Sequence, residues 1–298
     1  MMKFSIIGMS EGNGHPYSWS AICNGYNRAL MENCGFPVIP RYLEKENYPG
    51  DFISDRVNVC SIWTQDKKLS KKIADTCFID NVLSNIEAAS AGVDGILYAR
   101  DDAENHIKML EPLIGSGIPI YIDKPIALRV KDLAKILQLA CNETQLFTCS
   151  ALSYSKSWEM CKPFFHELHE NFIIYAESPK SWEKYSIHII EPVLNLLPND
   201  LKVLNMKKHV DLTGATSVSV KYSRDINLKF STTGKQFGHI KFFIKTKNHQ
   251  IEITPDDIFF CFKNAMLKFH DGVKNKTKMV NFEKVKTVVK IIEAGLTK

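Results

Sequence analysis

The residues with the clearest chemical potential lie in the run Ile120-Tyr-Ile-Asp123-Lys124-Pro125-Ile-Ala-Leu128. It follows a strand-like stretch, Asp94–Ala99, and a helical stretch, Asn105–Ser116. A buried strand therefore ends in a carboxylate, an ammonium and a proline. Open α/β sheets place their chemistry at such strand ends. Proline restricts the turn and removes a donor, which holds the lysine in position. An ammonium held there can stabilise negative charge developing on a substrate oxygen.

A second candidate constellation follows the first strand: Gly8-Met-Ser-Glu-Gly12-Asn13-Gly14-His15-Pro16. Glycines at this point let the backbone approach a pyrophosphate, and the helix starting near Pro16 directs free N–H groups and a positive dipole end toward it. The spacing is G-x-x-x-G-x-G rather than G-x-G-x-x-G, and three glycines in seven residues also suit an ordinary loop. An acidic residue usually holds the ribose about 20 residues further on. Here the strand Val57–Thr64 places Thr64 at that point and Asp66 two residues later. Thr64 with Lys67 or Lys68 could instead admit a 2′-phosphate. A candidate strand Phe36–Arg41 would offer Arg41. The choice between NAD and NADP stays open.

Apolar periodicity supplies the elements that must hold these groups. Strands are expected at Lys3–Gly8, Val57–Thr64, Gly95–Ala99, Pro119–Asp123 and Leu146–Ala151, and helices at Tyr17–Glu32, Leu69–Thr76, Leu83–Ala91, Ala103–Ile114 and Val130–Asn142. Alternation of this kind builds a doubly wound parallel sheet. Beyond a helix at Trp158–Glu170, a strand at Phe172–Glu177 and a helix at His188–Leu197, the pattern changes to period-two strands. These are Lys202–His209, Thr216–Tyr222, Asn227–Thr232, His239–Thr246 and Gln250–Thr254, with closing helices at Phe259–His270 and Phe282–Leu296. Alternation marks an antiparallel sheet with one covered face. The expected fold class is α/β: an N-terminal Rossmann domain over residues 1–123, then an α+β domain over 124–298 with a large open, mostly antiparallel sheet.

The order of these motifs resembles the Gfo/Idh/MocA family of oxidoreductases over essentially the whole chain. The resemblance rests on the glycine loop, Ile96-Leu-Tyr-Ala99-Arg100 before a helix containing His106, and Asp123-Lys124-Pro125, which looks like the family's Glu-Lys-Pro. It continues through Ser186-Ile-His188-Ile-Ile-Glu191, Phe262–Gly272 and the final Ile-Ile-Glu-Ala helix. It implies an NAD(P)-dependent enzyme that passes hydride between nicotinamide and a hydroxyl or carbonyl of a sugar, inositol or sugar nucleotide. By analogy, this fits surface carbohydrate synthesis. Cofactor contacts would come from Gly8, Gly12, Asn13, Gly14, His15, Thr64, Asp66, Ala99, Arg100, Asp123, Lys124 and Pro125. Lys124 would orient or polarise the hydroxyl, and His188 would act as general acid/base, a task suited to imidazole. The family's open sheet often joins subunits, which implies a homodimer or homotetramer.

The chain departs from the family at position 184. An aspartate commonly stands four residues before the histidine, and here that residue is Lys184. Glu191 could orient the imidazole instead, and Tyr154 or Tyr185 could supply the proton. The same departure motivates a second reading, a catalytically altered relative that holds the dinucleotide as a scaffold or sensor.

Bulk properties narrow the field further. Of the 298 residues, 45% are hydrophobic and 24% charged, as in soluble globular proteins. No apolar run is long enough for a membrane span, and the start is too short for a secretory signal, so a cytoplasmic protein with no membrane partner is expected. Residues 201–298 carry 19 basic against 8 acidic side chains, whereas residues 1–200 carry 19 against 25. The basic part could be solvated lysine or could attract an anionic substrate such as a sugar nucleotide. No nucleic-acid motif accompanies it. Eight cysteines without a C-x-x-C pair argue against zinc or a disulfide framework. His166-Glu-Leu-His169-Glu170 lacks metal-ligand spacing, so no metal is expected. Trp182 reads as packed core or as a wall of the nicotinamide pocket.

Overall fold

The computed structural model describes residues 1–167 and 170–297, and the side chains within 162–167 only for Phe165. The His166–His169 pair falls outside these limits. The chain forms two units. Residues 1–126, 134–148 and 262–280 make the first, and 127–133, 149–261 and 281–298 the second. The sequence suggested one boundary near residue 123. The late segment joins the first unit because Phe269 packs there against Phe4, Tyr121 and Phe147, at centroid distances of 5.2, 5.8 and 5.9 Å.

The first unit is built on β1 (Met2–Ile7), β2 (Val57–Trp63), β3 (Asn81–Val82), β4 (Gly95–Tyr98), β5 (Ile120–Ile122) and β6 (Leu146–Phe147). All pair in parallel, in the order β3-β2-β1-β4-β5-β6. Strand order reverses between β1 and β4, and a doubly wound sheet opens its ligand crevice at such a switch point. The central strands are buried on both faces, which explains their unbroken apolar runs.

Several expected elements differ. The helix expected at Tyr17–Glu32 is two helices, His15–Asn24 and Arg28–Glu32. Gly25 breaks it at φ +83°, and Asn27 caps the second piece through the Leu30 N–H. The candidate strand Phe36–Arg41 is instead a helix, Val38–Leu43, so Arg41 stands at no strand end. Leu83–Ala91 forms only a 3₁₀ turn at Glu87–Ser90. The strand expected at Leu146–Ala151 stops at Phe147, and a 3₁₀ turn follows at Ala151–Tyr154.

The second unit holds β7 (Ile173–Ser178), β8 (Val203–Val210), β9 (Thr216–Tyr222), β10 (Ile226–Thr232), β11 (Lys241–Lys245) and β12 (Gln250–Ile253). Their order is β12-β11-β7-β10-β9-β8, and only β7 and β10 run parallel. Alternate residues Ile174, Val218, Val220, Leu228, Phe230 and Phe242 bury one face. The helices Ile187–Leu196 and Phe282–Leu296 supply Ile189, Ile190, Val193, Ile291 and Ile292 to the same core. Trp182 is packed core here. Its indole N–H donates to the Ile292 carbonyl at 2.8 Å, and a Cβ on Gly295 would lie 2.2 Å from its ring. Among the described residues no helix is long and apolar enough to cross a membrane.

Candidate active-site residues

The Gly8–Gly14 loop follows β1 and is tied down by side chains from three directions. Gln65 accepts from the Met9 N–H at 3.3 Å and donates to the Met9 carbonyl at 3.0 Å. Arg100 donates to that carbonyl at 3.1 Å. Ser10 Oγ donates to Asp101 at 2.5 Å and accepts from the Asp101 N–H at 3.1 Å. Gly8 (φ +79°) and Gly12 (φ +76°) adopt backbone that other residues avoid. A Cβ on Gly12 would meet nothing within 4 Å, so this part of the backbone stands open to a bound group. A Cβ on Gly14 would lie 2.6 Å from Ile39 and 2.8 Å from Phe36, so Gly14 is required by packing.

Asp123, directly after β5, is the hub of this region. Its carboxylate accepts from Asn13 Nδ2 at 2.8 Å, contacts His15 Nδ1 at 2.5 Å and accepts from the Lys124 N–H at 2.8 Å. Burial alone would raise its pKa. His15, Lys124 and Asn13 outweigh that and hold the carboxyl well below the usual carboxylate range. Lys124 is itself buried, 7% exposed, with Nζ 3.8 Å from Asp101. The Lys124–Pro125 peptide is cis. Asn13, Gly14, His15, Asp123, Lys124 and Pro125 are thus brought together, and Ser10 and Asp101 join them. Arg100 lines Gly8 and pairs with Asp102. Ala99 closes β4, with its N–H on the Ile7 carbonyl.

The helix start beyond the loop offers few free donors. The His15 N–H is taken by Asn13 Oδ1 at 2.9 Å, and Pro16 has none. The Tyr17 N–H reaches the Gly14 carbonyl at 3.1 Å. Near the end of β2, Thr64 Oγ1 is engaged with the Asp66 carbonyl and Ser70, and Asp66 caps the helix Lys67–Thr76 through the Lys68 N–H. Both residues therefore have local tasks, and Gln65 rather than either reaches the loop. His106 is fully buried. Its ring nitrogens face the Ile126 and Arg100 carbonyls at 2.9 and 3.0 Å, and burial lowers its pKa against the pull of those carbonyls.

In the second unit a compact polar cluster surrounds His188, which lies in the first turn of Ile187–Leu196. Nδ1 is 2.9 Å from Ser150 Oγ. The Ser150 N–H donates to Glu191 Oε2 at 2.9 Å. Burial pushes the Glu191 carboxyl up to about 8, against the opposing bonds from Ser150, Asn195 and Ser153. The Tyr154 phenol is pushed well above its usual range by burial, then by Cys149 and Glu191, which makes it a poor proton donor. Tyr185 lies edge-on to the His188 ring at 5.4 Å, and Lys180 Nζ donates to its hydroxyl at 2.5 Å. Glu191 thus reaches Ser150, and it is Ser150 that contacts His188 Nδ1.

Sequence reasoning missed Ser150, Lys180, Gln65 and Asp101. Ser150 is 38 residues from His188 in sequence and Gln65 is 56 from Met9, so no local spacing reveals them. Lys180 is marked only by its backbone in the structure. It stands at φ +62°, where lysine is strained, held by backbone bonds to Lys235 and Gly234.

No family model matches the chain, and no curated protein is similar to it in sequence. Among solved structures it is similar to myo-inositol dehydrogenase from Lactobacillus casei in complex with NAD(H) and myo-inositol. That similarity has a TM-score of 0.73 at 9% identity, covering 99% of this chain and 94% of that one. UDP-N-acetylglucosamine 3-dehydrogenase from Acidithiobacillus ferrooxidans gives 0.71 at 9% identity, covering 99% of each chain. A dehydrogenase from Clostridium difficile gives 0.66 at 15% identity, over 98% and 97%. The chain therefore has the fold of these dehydrogenases, the fold implied by the resemblance of its motifs.

Proposed function

We propose that this protein is an NAD(P)-dependent oxidoreductase that transfers hydride between nicotinamide and a hydroxyl or carbonyl of a sugar, inositol or sugar nucleotide. The observation that carries the reading is the buried Lys124 at the end of β5, beside Asp101 and the Asp123 hub. Lysine is almost never fully buried without a task or a partner. The fold shared with inositol and sugar-nucleotide dehydrogenases supports the same substrate classes.

The residues present fit a dinucleotide. The Gly8–Gly14 backbone is open at Gly12 and braced by Gln65, Ser10 and Arg100. These loop residues would hold the phosphates, with the end of β2 toward the ribose and Lys124 on the nicotinamide side. When bound, the nicotinamide supplies the hydride acceptor or donor. In the oxidising direction His188 would take the proton of the substrate hydroxyl, and an ammonium such as that of Lys124 is suited to stabilise negative charge developing on an oxygen. In the reducing direction His188 returns the proton. Tyr185, bonded to Lys180, is a second proton-handling group of the His188 cluster. The exposed face of the second sheet, where Tyr175 and Phe243 stack at 5.9 Å, is assigned to self-association.

A second reading is motivated by one observation: Lys184 stands four residues before His188, where a carboxylate would have oriented the imidazole. The protein would then hold a dinucleotide without turnover, as a scaffold or sensor. Titration with NADH and NADPH, read by nicotinamide fluorescence, followed by a turnover screen on inositols and UDP-sugars, separates these outcomes. Micromolar binding with turnover lost in Lys124→Ala supports the enzyme. Binding without turnover on the full panel supports the scaffold, and no binding of either nucleotide to folded protein rejects both.

A further inference from the structure

We infer that Ser150 is the positioning residue for His188, accepting a hydrogen bond from Nδ1–H so that Nε2 carries the lone pair used for proton transfer. The inference rests on the role proposed for His188 above. Its basis is a two-point clamp. Ser150 meets the helix Ile187–Leu196 through both its side chain and its backbone, with Oγ on His188 Nδ1 and N–H on Glu191 Oε2, each at 2.9 Å. His188 and Glu191 are three residues apart on that helix, so they lie on one face. One serine therefore fixes the imidazole while a neighbour on the same helix fixes the serine.

Ser150 is fully buried. Its hydroxyl cannot exchange its protein partner for water at little cost, and an unmade hydrogen bond there is expensive. Position 184 offers no alternative, because a lysine ammonium donates hydrogen bonds and accepts none. Glu191 does not replace the clamp either, since its Oε2 is on the Ser150 N–H. Tyr185 adds an edge-on ring contact at 5.4 Å that limits rotation of the imidazole without choosing its tautomer. A general base acting through Nε2 needs the proton on Nδ1. Ser150 Oγ is the group placed to accept that proton's hydrogen bond, and it adds no charge. When Nε2 takes the hydroxyl proton from substrate, the imidazolium keeps Nδ1–H on Ser150 Oγ. In the oxidising direction the imidazolium then releases the Nε2 proton to solvent, and in the reducing direction it delivers it to the substrate oxygen.

The test is the tautomer of His188, read by 15N NMR of the full chain labelled at histidine, with the signal assigned by its loss in His188→Gln. Wild type is expected to show Nδ1 protonated and Nε2 unprotonated near pH 8. Ser150→Ala keeps the backbone bond to Glu191 and removes only the hydroxyl. It should move the tautomer ratio roughly ten-fold toward Nε2–H, the scale of one net hydrogen bond. Ser150→Thr restores the hydroxyl and should restore the wild-type pattern. A purely structural serine would lower the melting temperature in Ser150→Ala and leave the tautomer unchanged. That result, or an Nε2–H tautomer in wild type, overturns the inference, and the wild-type measurement decides even if a variant fails to fold. NADH titration of the same samples reads the proposed function separately. Absent binding with the Nδ1–H signature intact removes the oxidoreductase reading alone, whereas binding with an Nε2–H tautomer removes the positioning role alone.

Discussion

Glu191→Gln should make the protein more stable than wild type at pH 8, by a margin about 3 kcal/mol larger than at pH 5.5. Burial pushes the Glu191 carboxyl from an ordinary 4.5 up to about 8 in the folded chain. The folded state therefore keeps a proton that the unfolded chain has released across that interval. Stability depends on the difference in bound protons, about 1.4 kcal/mol per pH unit while the two states differ by one. A raised folded value means that the full contribution is present below about pH 4.5 and is lost as pH rises to about 8. Integrated from pH 5.5 to pH 8, the loss is at most about 3 kcal/mol.

Gln has the shape of the neutral carboxyl and keeps an acceptor for the Ser150 N–H, so it removes the titration and little else. Every other titrating group contributes equally to both proteins and cancels in the difference. For a unit of this size, 3 kcal/mol corresponds to a melting shift of roughly 6–12 °C. Thermal melts of both proteins at half-unit pH steps provide the assay. A gap that opens steadily above pH 5.5 in favour of Glu191→Gln is expected. A gap that stays constant with pH, or opens in favour of wild type, refutes the reasoning.

Other predictions concern the first unit and the reaction. His188→Ala should lower turnover by roughly 10²–10⁴-fold while NADH binding stays unchanged, as measured by steady-state kinetics beside fluorescence titration. Gly14→Ala should cost about 1–3 kcal/mol in chemical denaturation, because its Cβ would lie 2.6 Å from Ile39. Asp123→Asn should destabilise by roughly 3 kcal/mol at neutral pH. The Asp123 carboxyl is depressed in the folded state, so its contribution exists above the ordinary aspartate value and is lost as pH falls. The gap between Asp123→Asn and wild type should therefore close below about pH 4. Light scattering should show a dimer or larger, and charge substitution at Tyr175 and Phe243 should reduce it to monomer.

Periodicity made the elements legible where one physical force dominated. β1, β4 and β5 are buried on both faces, and β9 and β10 bury mainly one, so run length and alternation reveal them. It failed where backbone geometry competes with hydrophobic pattern. Gly25 splits an apolar run that would otherwise continue as helix, and Pro37 and Pro40 help turn an apparent strand into the helix Val38–Leu43. Lys124 and His188 were legible through the motifs around them, and Asp123 through the same tripeptide. The partners that set their chemistry come from distant parts of the chain: Asp101 for Lys124, Asn13 and His15 for Asp123, and Ser150 for His188.

The two candidate groups are prepared for charge in opposite ways. Around Asp123 the chain gathers donors and cations, so a buried carboxylate stays ionised and the loop after β1 is anchored by a fixed charge. Next to His188 stands a neutral hydroxyl, and behind it a carboxyl held protonated near neutral pH, so neither of these two puts a permanent charge on the imidazole. A carboxylate at position 184 would stabilise imidazolium and hold the proton, whereas a serine hydroxyl orients the ring and leaves the proton easier to return. Lys184 is therefore compatible with orientation of His188 by Ser150. It does not by itself require loss of proton transfer.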